Sequence, residues 1–158
     1  MKIKLNRGKA ATNEACQALQ VALGCELSES FRNFLRSNDG AEPETNIFKI
    51  ADKNESGVNR FIPVSEILKE RARIENISKK AYPVAWAEGG NYVIVDEDKN
   101  GTVFFWDHEV PEDLVKLASS FGAFLDILEP FDIKKIELKP GQVKKVWVDP
   151  EFLKRLKK

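Results

Sequence analysis

Apolar residues recur at helical spacing in the first quarter of the chain. Ala15, Leu19 and Leu23 follow an i, i+4, i+8 pattern that is typical of one face of an amphipathic helix. Thr12 can cap the start of this helix and Gly24 can end it. A second helix is predicted from residue 28, with two phenylalanines and a leucine on one face, and it ends at the turn-forming sequence Asn-Asp-Gly at 38–40.

The pattern then changes to short strands and loops. Residues 46–50 predict a strand, and the polar residues 52–59 predict a loop. Residues 60–64 predict another strand, which Pro63 would place at a sheet edge or a strand end, because proline cannot donate to a ladder. Ser65 is expected to cap a further helix.

Three strands in succession are predicted over 83–87, 91–96 and 102–107. The Gly89-Gly90 pair and a turn at 98–101 connect them, which favours an antiparallel meander. A helix over 118–128 is expected to follow. The order of elements predicts an α+β fold, an antiparallel sheet with flanking N-terminal and C-terminal helices. We expect one domain over 1–158, with a core at about 12–131 and a tail at 132–158 that forms a hairpin and a helix.

Length and composition narrow the functional classes. A chain of 158 residues is long enough for one well-buried core. No apolar run approaches the roughly 20 residues that a membrane helix needs, and the first residues lack the apolar segment of a secretion signal, so we expect a cytoplasmic protein without membrane contact. Cys16 and Cys25 fit no zinc or redox spacing and are interpreted as reduced structural thiols, with no metal or cofactor expected.

The charges are segregated although they sum to zero. Between Trp86 and Asp132, eleven acidic residues stand against two lysines, for a net charge of −9. The tail from Lys134 onward carries a net charge of +6. An acidic surface attracts a basic partner and repels nucleic acid. The simpler interpretation is a solvated surface that binds no partner.

One acidic segment has the spacing of a calcium loop. Asp96, Asp98 and Asn100 match the first ligands of that motif, and Asp107 stands where its bidentate carboxylate belongs. Strand patterns on both sides argue against this, because an extended segment would carry Asp107 roughly 15 Å from the turn. We therefore interpret the segment as a tight hairpin turn.

His108 and two tryptophans are the other candidates. His108 lies between Asp107 and Glu109 and could act as a general base, but no nucleophile or cofactor motif accompanies it. Trp86 and Trp106 are expected on neighbouring strands, either as core residues or as exposed anchors in a protein interface. The basic tail is a possible nucleic-acid-binding surface, but its lysines are mostly explained by the end of the predicted helix, so we expect no nucleic-acid partner.

Four segments in order resemble the SUKH superfamily, the Smi/Knr-like proteins. They are LSESFRNFLRSNDG, AEGGNYVIVD, NGTVFFWDHE and ASSFGAFLDIL, and the resemblance covers about 12–131. Two positions depart from the family pattern: Ser28 stands where proline is favoured, and Gly122 stands where a helix-forming residue is common.

The resemblance implies a protein-binding domain that is not an enzyme. It implies an immunity protein that neutralises a cognate toxin, such as a nuclease, or alternatively a regulatory scaffold of the cell-wall-assembly type. We expect a monomer or weak homo-oligomer. The predicted interaction residues are aromatic and polar positions of the acidic segment: Trp86, Glu88, Asn91, Asp96, Asp98, Trp106, Asp107, His108, Glu109 and Glu112.

Overall fold

A computed structural model describes residues 3–51 and 54–130 of the chain. The helices are α1 (Asn13–Leu23), α2 (Glu29–Asn38), α3 (Ile67–Arg71) and α4 (Phe121–Ile127). The strands are β1 (Leu5–Asn6), β2 (Glu42–Pro43), β3 (Thr45–Ala51), β4 (Asn54–Phe61), β5 (Ala81–Ala87), β6 (Asn91–Asp96), β7 (Thr102–Trp106), β8 (Val115–Ala118) and β9 (Glu129–Pro130).

Seven strands form one antiparallel sheet in the order β8-β7-β6-β5-β4-β3-β9, and β1 pairs with β2 in a small separate sheet. The large sheet curls enough to bring β3 close to β8. The consecutive pairing of β5, β6 and β7 is the predicted meander. The predicted fold class, α+β with an antiparallel sheet and flanking helices in a single domain, is confirmed.

The N-terminal helices form as their sequence predicts. The Thr12 hydroxyl accepts a hydrogen bond from the Ala15 amide at 3.1 Å, and Gly24 ends α1 in the left-handed conformation. Both features satisfy backbone groups that a helix end leaves without partners. The second helix, α2, ends at Asn38, as expected from the Asn-Asp-Gly sequence.

Aromatic side chains from the helices and the sheet make the centre of the core. Phe31 and Phe34 of α2 contact Phe121 of α4, with ring centroids 5.0 Å apart in each case and edge-to-face geometry. Phe31 also contacts Tyr82 of β5, and Phe34 contacts Phe61 of β4. Burial of each such ring contributes about 1.5–3 kcal/mol, so this cluster fixes how the helices lie on the sheet.

Two predictions between residues 52 and 66 are wrong, and the strand predicted over 60–64 is right only at residues 60–61. The segment expected as a loop is largely β4, and Pro63 lies outside that strand. The strand is also internal, between β3 and β5. Ser65 does not cap a helix; it lies in a 3₁₀ turn whose Val64 amide donates to the Asp39 carboxylate at 2.7 Å, and α3 follows.

The helix predicted over 118–128 starts later. Residues 115–118 form the edge strand β8, and α4 begins after Ser120, whose hydroxyl accepts from the Ala123 amide at 3.0 Å. Trp86 and Trp106 are also not on neighbouring strands, since β6 separates β5 from β7. The predicted hairpin-plus-helix tail at 132–158 lies outside the described residues.

Candidate protein-binding surface

The predicted interaction residues lie at two ends of the central strands. Strand β6 runs from Asn91 to Asp96, a span of roughly 17 Å at about 3.3 Å per residue. Ala87 pairs with Asn91, and Tyr92 pairs with Trp106, so the β5–β6 turn and the loop after β7 lie together at the Asn91 end. Asp96 and Asp98 lie at the opposite end. The acidic segment therefore forms two surfaces.

The Asn91 end carries most of the predicted residues. His108 donates its backbone amide to the Asn91 side-chain oxygen at 3.1 Å, and its ring Nδ1 lies 2.7 Å from the same oxygen. Because an amide oxygen only accepts, this contact requires a proton on Nδ1 and leaves Nε2 as an acceptor in the neutral ring. The ring Nδ1 also lies 3.9 Å from the Asp107 carboxylate. Asn91 thus fixes both the orientation and the tautomer of His108.

The loop after β7 is organised by successive turns. The Asp107 carboxylate accepts from the Glu109 amide at 2.9 Å, and the Asp107 carbonyl accepts from the Val110 amide at 3.1 Å. The Val110 carbonyl in turn accepts from Asp113. These bonds hold the loop in a defined shape that projects Val110, which is 42% exposed.

The exposed acidic side chains at this end form what we call the acidic loop surface. Its members are Glu88, Asp107, Glu109, Glu112 and Asp113, of which only Asp107 is half-buried. Glu88 is placed by the β5–β6 turn, where Gly89 and Gly90 adopt positive φ angles of 75° and 81° that favour glycine. All five members of the surface are acidic, and an exposed apolar residue, Val110, lies within it.

The opposite end of β6 is built differently. Asp96 is 2% exposed, and its carboxylate accepts from the Ser78 hydroxyl at 2.7 Å and from the Asp98 amide at 3.0 Å. It closes the β6–β7 turn, where Asn100 has a φ of 58°. The tight hairpin turn predicted here is confirmed. Because Asp96 is buried, its role is structural. Of Asp96 and Asp98, only Asp98 is exposed to solvent.

Sequence reasoning missed the role of Glu97. Its carboxylate accepts hydrogen bonds from the Ser28 amide at 2.8 Å, the Ser28 hydroxyl at 2.6 Å and the Tyr82 hydroxyl at 2.7 Å. This network ties the start of α2 to the β6–β7 turn. Burial, together with the Glu97 charge, raises the pKa of Tyr82. No sequence signal separates Glu97 from its acidic neighbours.

The two tryptophans share one row across the sheet. Trp86 pairs with Tyr92, which pairs with Trp106, so their side chains lie on the same face. Trp106 is 7% exposed and its ring lies 5.6 Å from Tyr92, whereas Trp86 is half-buried. Of the two predicted alternatives, core residue or exposed anchor, the first therefore holds for Trp106. Its indole nitrogen has no hydrogen-bond partner in the described residues.

Glu70 of α3 is the second residue that sequence reasoning missed. It is 6% exposed, and its carboxylate accepts from the Tyr92 hydroxyl at 2.6 Å and from the Trp86 indole at 3.1 Å. Burial alone would raise the pKa of Glu70, but these hydrogen bonds and the nearby Arg73 and Lys69 outweigh it, so the pKa is lower than usual. The carboxylate stays ionised and holds α3 against the aromatic row.

The sequence of this chain matches a known protein family. The model of the SMI1 / KNR4 family (SUKH-1) matches residues 10–127. The chain belongs to this family. The SUKH resemblance predicted from the sequence is thus confirmed.

A curated relative adds one further comparison. The chain is 27% identical to the SPbeta prophage-derived uncharacterized protein YokK of Bacillus subtilis (strain 168), in an alignment that covers 78% of this chain and 79% of the relative. No helix in the described part of this SUKH protein is long and apolar enough to span a membrane.

Proposed function

We propose that this SUKH protein is a cytoplasmic immunity protein that binds a cognate toxin protein and neutralises it without catalysis. Membership of a family whose members are generally non-catalytic immunity proteins supports this proposal. The prophage origin printed in the name of the relative is consistent with this proposal.

The observation that carries the proposal is the acidic loop surface. Asp107, Glu109 and Glu112 lie on the loop after β7, which is held by hydrogen bonds to Asn91 and within its own turns. Glu88 lies in the neighbouring β5–β6 turn, with its carboxylate close to Gly57 of β4. A pre-ordered surface loses little conformational entropy on binding. Its charge complements the basic cleft with which a nuclease binds phosphates, and such complementarity accelerates association.

His108 fits a role in binding. Its ring is 48% exposed at the side chain and is held by Asn91 with Nε2 facing away from that bond. In the described part of the chain, the hydrogen bond and the ion pair of the ring go to the Asn91 amide oxygen and the Asp107 carboxylate. A fixed imidazole beside Val110 offers a partner one hydrogen-bonding group and one apolar contact.

Co-expression with the toxin domain encoded beside this gene tests the proposal. Wild-type protein should restore growth and form a complex in a pull-down. Glu109→Lys/Glu112→Lys should weaken binding by about tenfold or more, because two steering charges are reversed. These positions are preferable to Asp107, whose carboxylate also bonds the loop backbone.

The matched control is Glu26→Lys/Glu75→Lys, which changes the net charge equally at exposed positions in two other loops. It should bind like wild type. If both pairs lose affinity equally, the acidic loop surface is not the binding site. If wild type neither rescues growth nor forms a complex, the proposed immunity function is wrong. The alternative hypothesis, a regulatory scaffold, would then be tested by an unbiased pull-down.

A further inference from the structure

A groove of about 340 Å³ runs between α1 and α2, and it shares no residue with the acidic loop surface. Its floor contains Leu35, which is buried, together with the half-buried Ala11 and Cys16. Its rim is polar and belongs to both helices: Asn13, Gln17, Gln20, Arg32 and Arg36.

Hydrogen-bond donors outnumber acceptors on this rim. The Gln17 side-chain oxygen accepts from Gln20 at 3.3 Å, and the Gln20 oxygen accepts from the Leu27 amide at 2.9 Å. Each of these oxygens therefore already accepts one hydrogen bond within the protein. No acidic residue lines the groove, and Asn13 supplies the remaining side-chain carbonyl.

The two arginines are the charged residues of this groove. Among residues 3–51 and 54–130, neither the Arg32 nor the Arg36 guanidinium has an ion pair or hydrogen bond with the protein. Their i, i+4 spacing places them side by side on one face of α2. Each presents a planar fork of donors that matches a carboxylate. Burial, aided by the charge of Asp39, raises the pKa of the Cys16 thiol, so this residue adds no negative charge to the groove.

We propose that the α1–α2 groove binds an acidic peptide segment of a protein partner, with carboxylates on Arg32 and Arg36 and an apolar side chain against the half-buried Ala11 and Cys16. The proposal goes beyond toxin binding by the acidic loop surface, because the charge of this second surface has the opposite sign. A peptide fits better than nucleic acid for two reasons. The floor is apolar, and two arginines are few compared with the roughly six to ten phosphate contacts of typical nucleic-acid binders.

The test uses the full chain and a fluorescent peptide of six glutamates around a central leucine, followed by anisotropy at low ionic strength. We expect saturable binding. Arg32→Gln/Arg36→Gln should lower the affinity by about tenfold or more, and Arg32→Lys/Arg36→Lys should give an intermediate loss, because charge is kept and the fork is lost. Circular dichroism melting establishes that each variant is folded.

The control Lys79→Gln/Lys116→Gln removes the same charge from exposed positions elsewhere and should bind within about twofold of wild type. Four results would overturn the proposal. They are no saturable peptide binding, equal loss in both glutamine pairs, displacement of the peptide by equimolar inorganic phosphate, and tighter arginine-dependent binding of a single-stranded RNA of matched charge.

Discussion

The two tyrosines of the chain both donate hydrogen bonds to carboxylates, Tyr82 to Glu97 at 2.7 Å and Tyr92 to Glu70 at 2.6 Å. Burial, with the Glu70 hydrogen bond, raises the pKa of Tyr92 to about 12, and burial with the Glu97 charge raises that of Tyr82 further. We predict that the folded protein shows little tyrosinate absorbance at about pH 11, where a tyrosine of ordinary pKa is about nine-tenths ionised.

The sign of the linkage follows from the raised pKa values. The folded state favours the neutral phenols, so their contribution to stability is complete below the ordinary pKa of 10.0 and declines as the pH rises above it. The same titration in concentrated urea is the control and should show both tyrosines ionising near the ordinary value. A native tyrosine that ionises at that value would contradict the hydrogen bonds described.

Glu70 has the opposite linkage. Its pKa lies below the ordinary 4.5, so its contribution to stability is present above that pH and is lost as the pH falls through the folded value. At neutral pH, Glu70→Gln should lower the free energy of unfolding by about 1–3 kcal/mol, since charge-assisted bonds from Tyr92 and Trp86 are replaced by weaker ones. The deficit should shrink below pH 4.5.

Urea denaturation at several pH values measures this deficit. Glu75→Gln serves as the control, because Glu75 is exposed and close to Glu70 in the chain. A deficit in Glu70→Gln that does not change with pH would mean that the side-chain shape, and not the carboxylate charge, holds α3 on the sheet.

At the level of elements, the β6–β7 turn is fitted closely to the start of α2. Gly101 has a φ of 77°, and a Cβ atom there would lie 2.6 Å from the Ser28 hydroxyl, which is itself held by Glu97. Gly24 has a similar φ of 72° but faces open space. Alanine at Gly24 should therefore cost only about 1–2 kcal/mol of backbone strain. Alanine at Gly101 should cost more, because the Ser28–Glu97 bond must also yield.

Thermal or urea unfolding of the two alanine variants provides the comparison, and Ser28→Ala/Gly101→Ala adds a further check. Removal of the hydroxyl should relieve part of the additional cost at Gly101. Equal destabilisation of Gly24→Ala and Gly101→Ala would show that the turn can move away from α2 without loss.

The elements that the sequence predicted well carry strong local signals. The first helix, α1, has a Thr12 cap, an apolar stripe and a terminal glycine, and β6 has an uninterrupted apolar run. Strand β4 was missed because its buried positions include Ser56 and Gly57, so its sequence lacks the alternation of apolar and polar residues that predicts a strand. Strand β8 was missed because four residues beside a helix are too short for a periodic pattern.

The whole molecule separates charges that are adjacent in the sequence. Asp98 and Asp107 lie within ten residues of each other, yet the length of β7 places them at opposite ends of the sheet. Sequence spacing could suggest this separation, but it could not show that Asp96 is buried or that Glu97 binds Ser28. The burial of Asp96 and the hydrogen bonds of Glu97 depend on contacts between residues far apart in the sequence. These contacts join the β6–β7 turn to the start of α2 and to the residues before β5.

Such a separation predicts a kinetic signature for toxin binding. If the acidic loop surface steers a basic partner, the association rate constant should fall as ionic strength rises, because the Debye length shrinks to about 8 Å at physiological salt. Glu109→Gln/Glu112→Gln should reduce this salt dependence and leave the dissociation rate nearly unchanged, since exposed charges at the rim act mainly on encounter. Asp98→Gln, which removes a charge at the other end of β6, should not alter the slope. Stopped-flow association at several salt concentrations measures these slopes, and parallel slopes for wild type and the Glu109/Glu112 variant would exclude steering by these two residues.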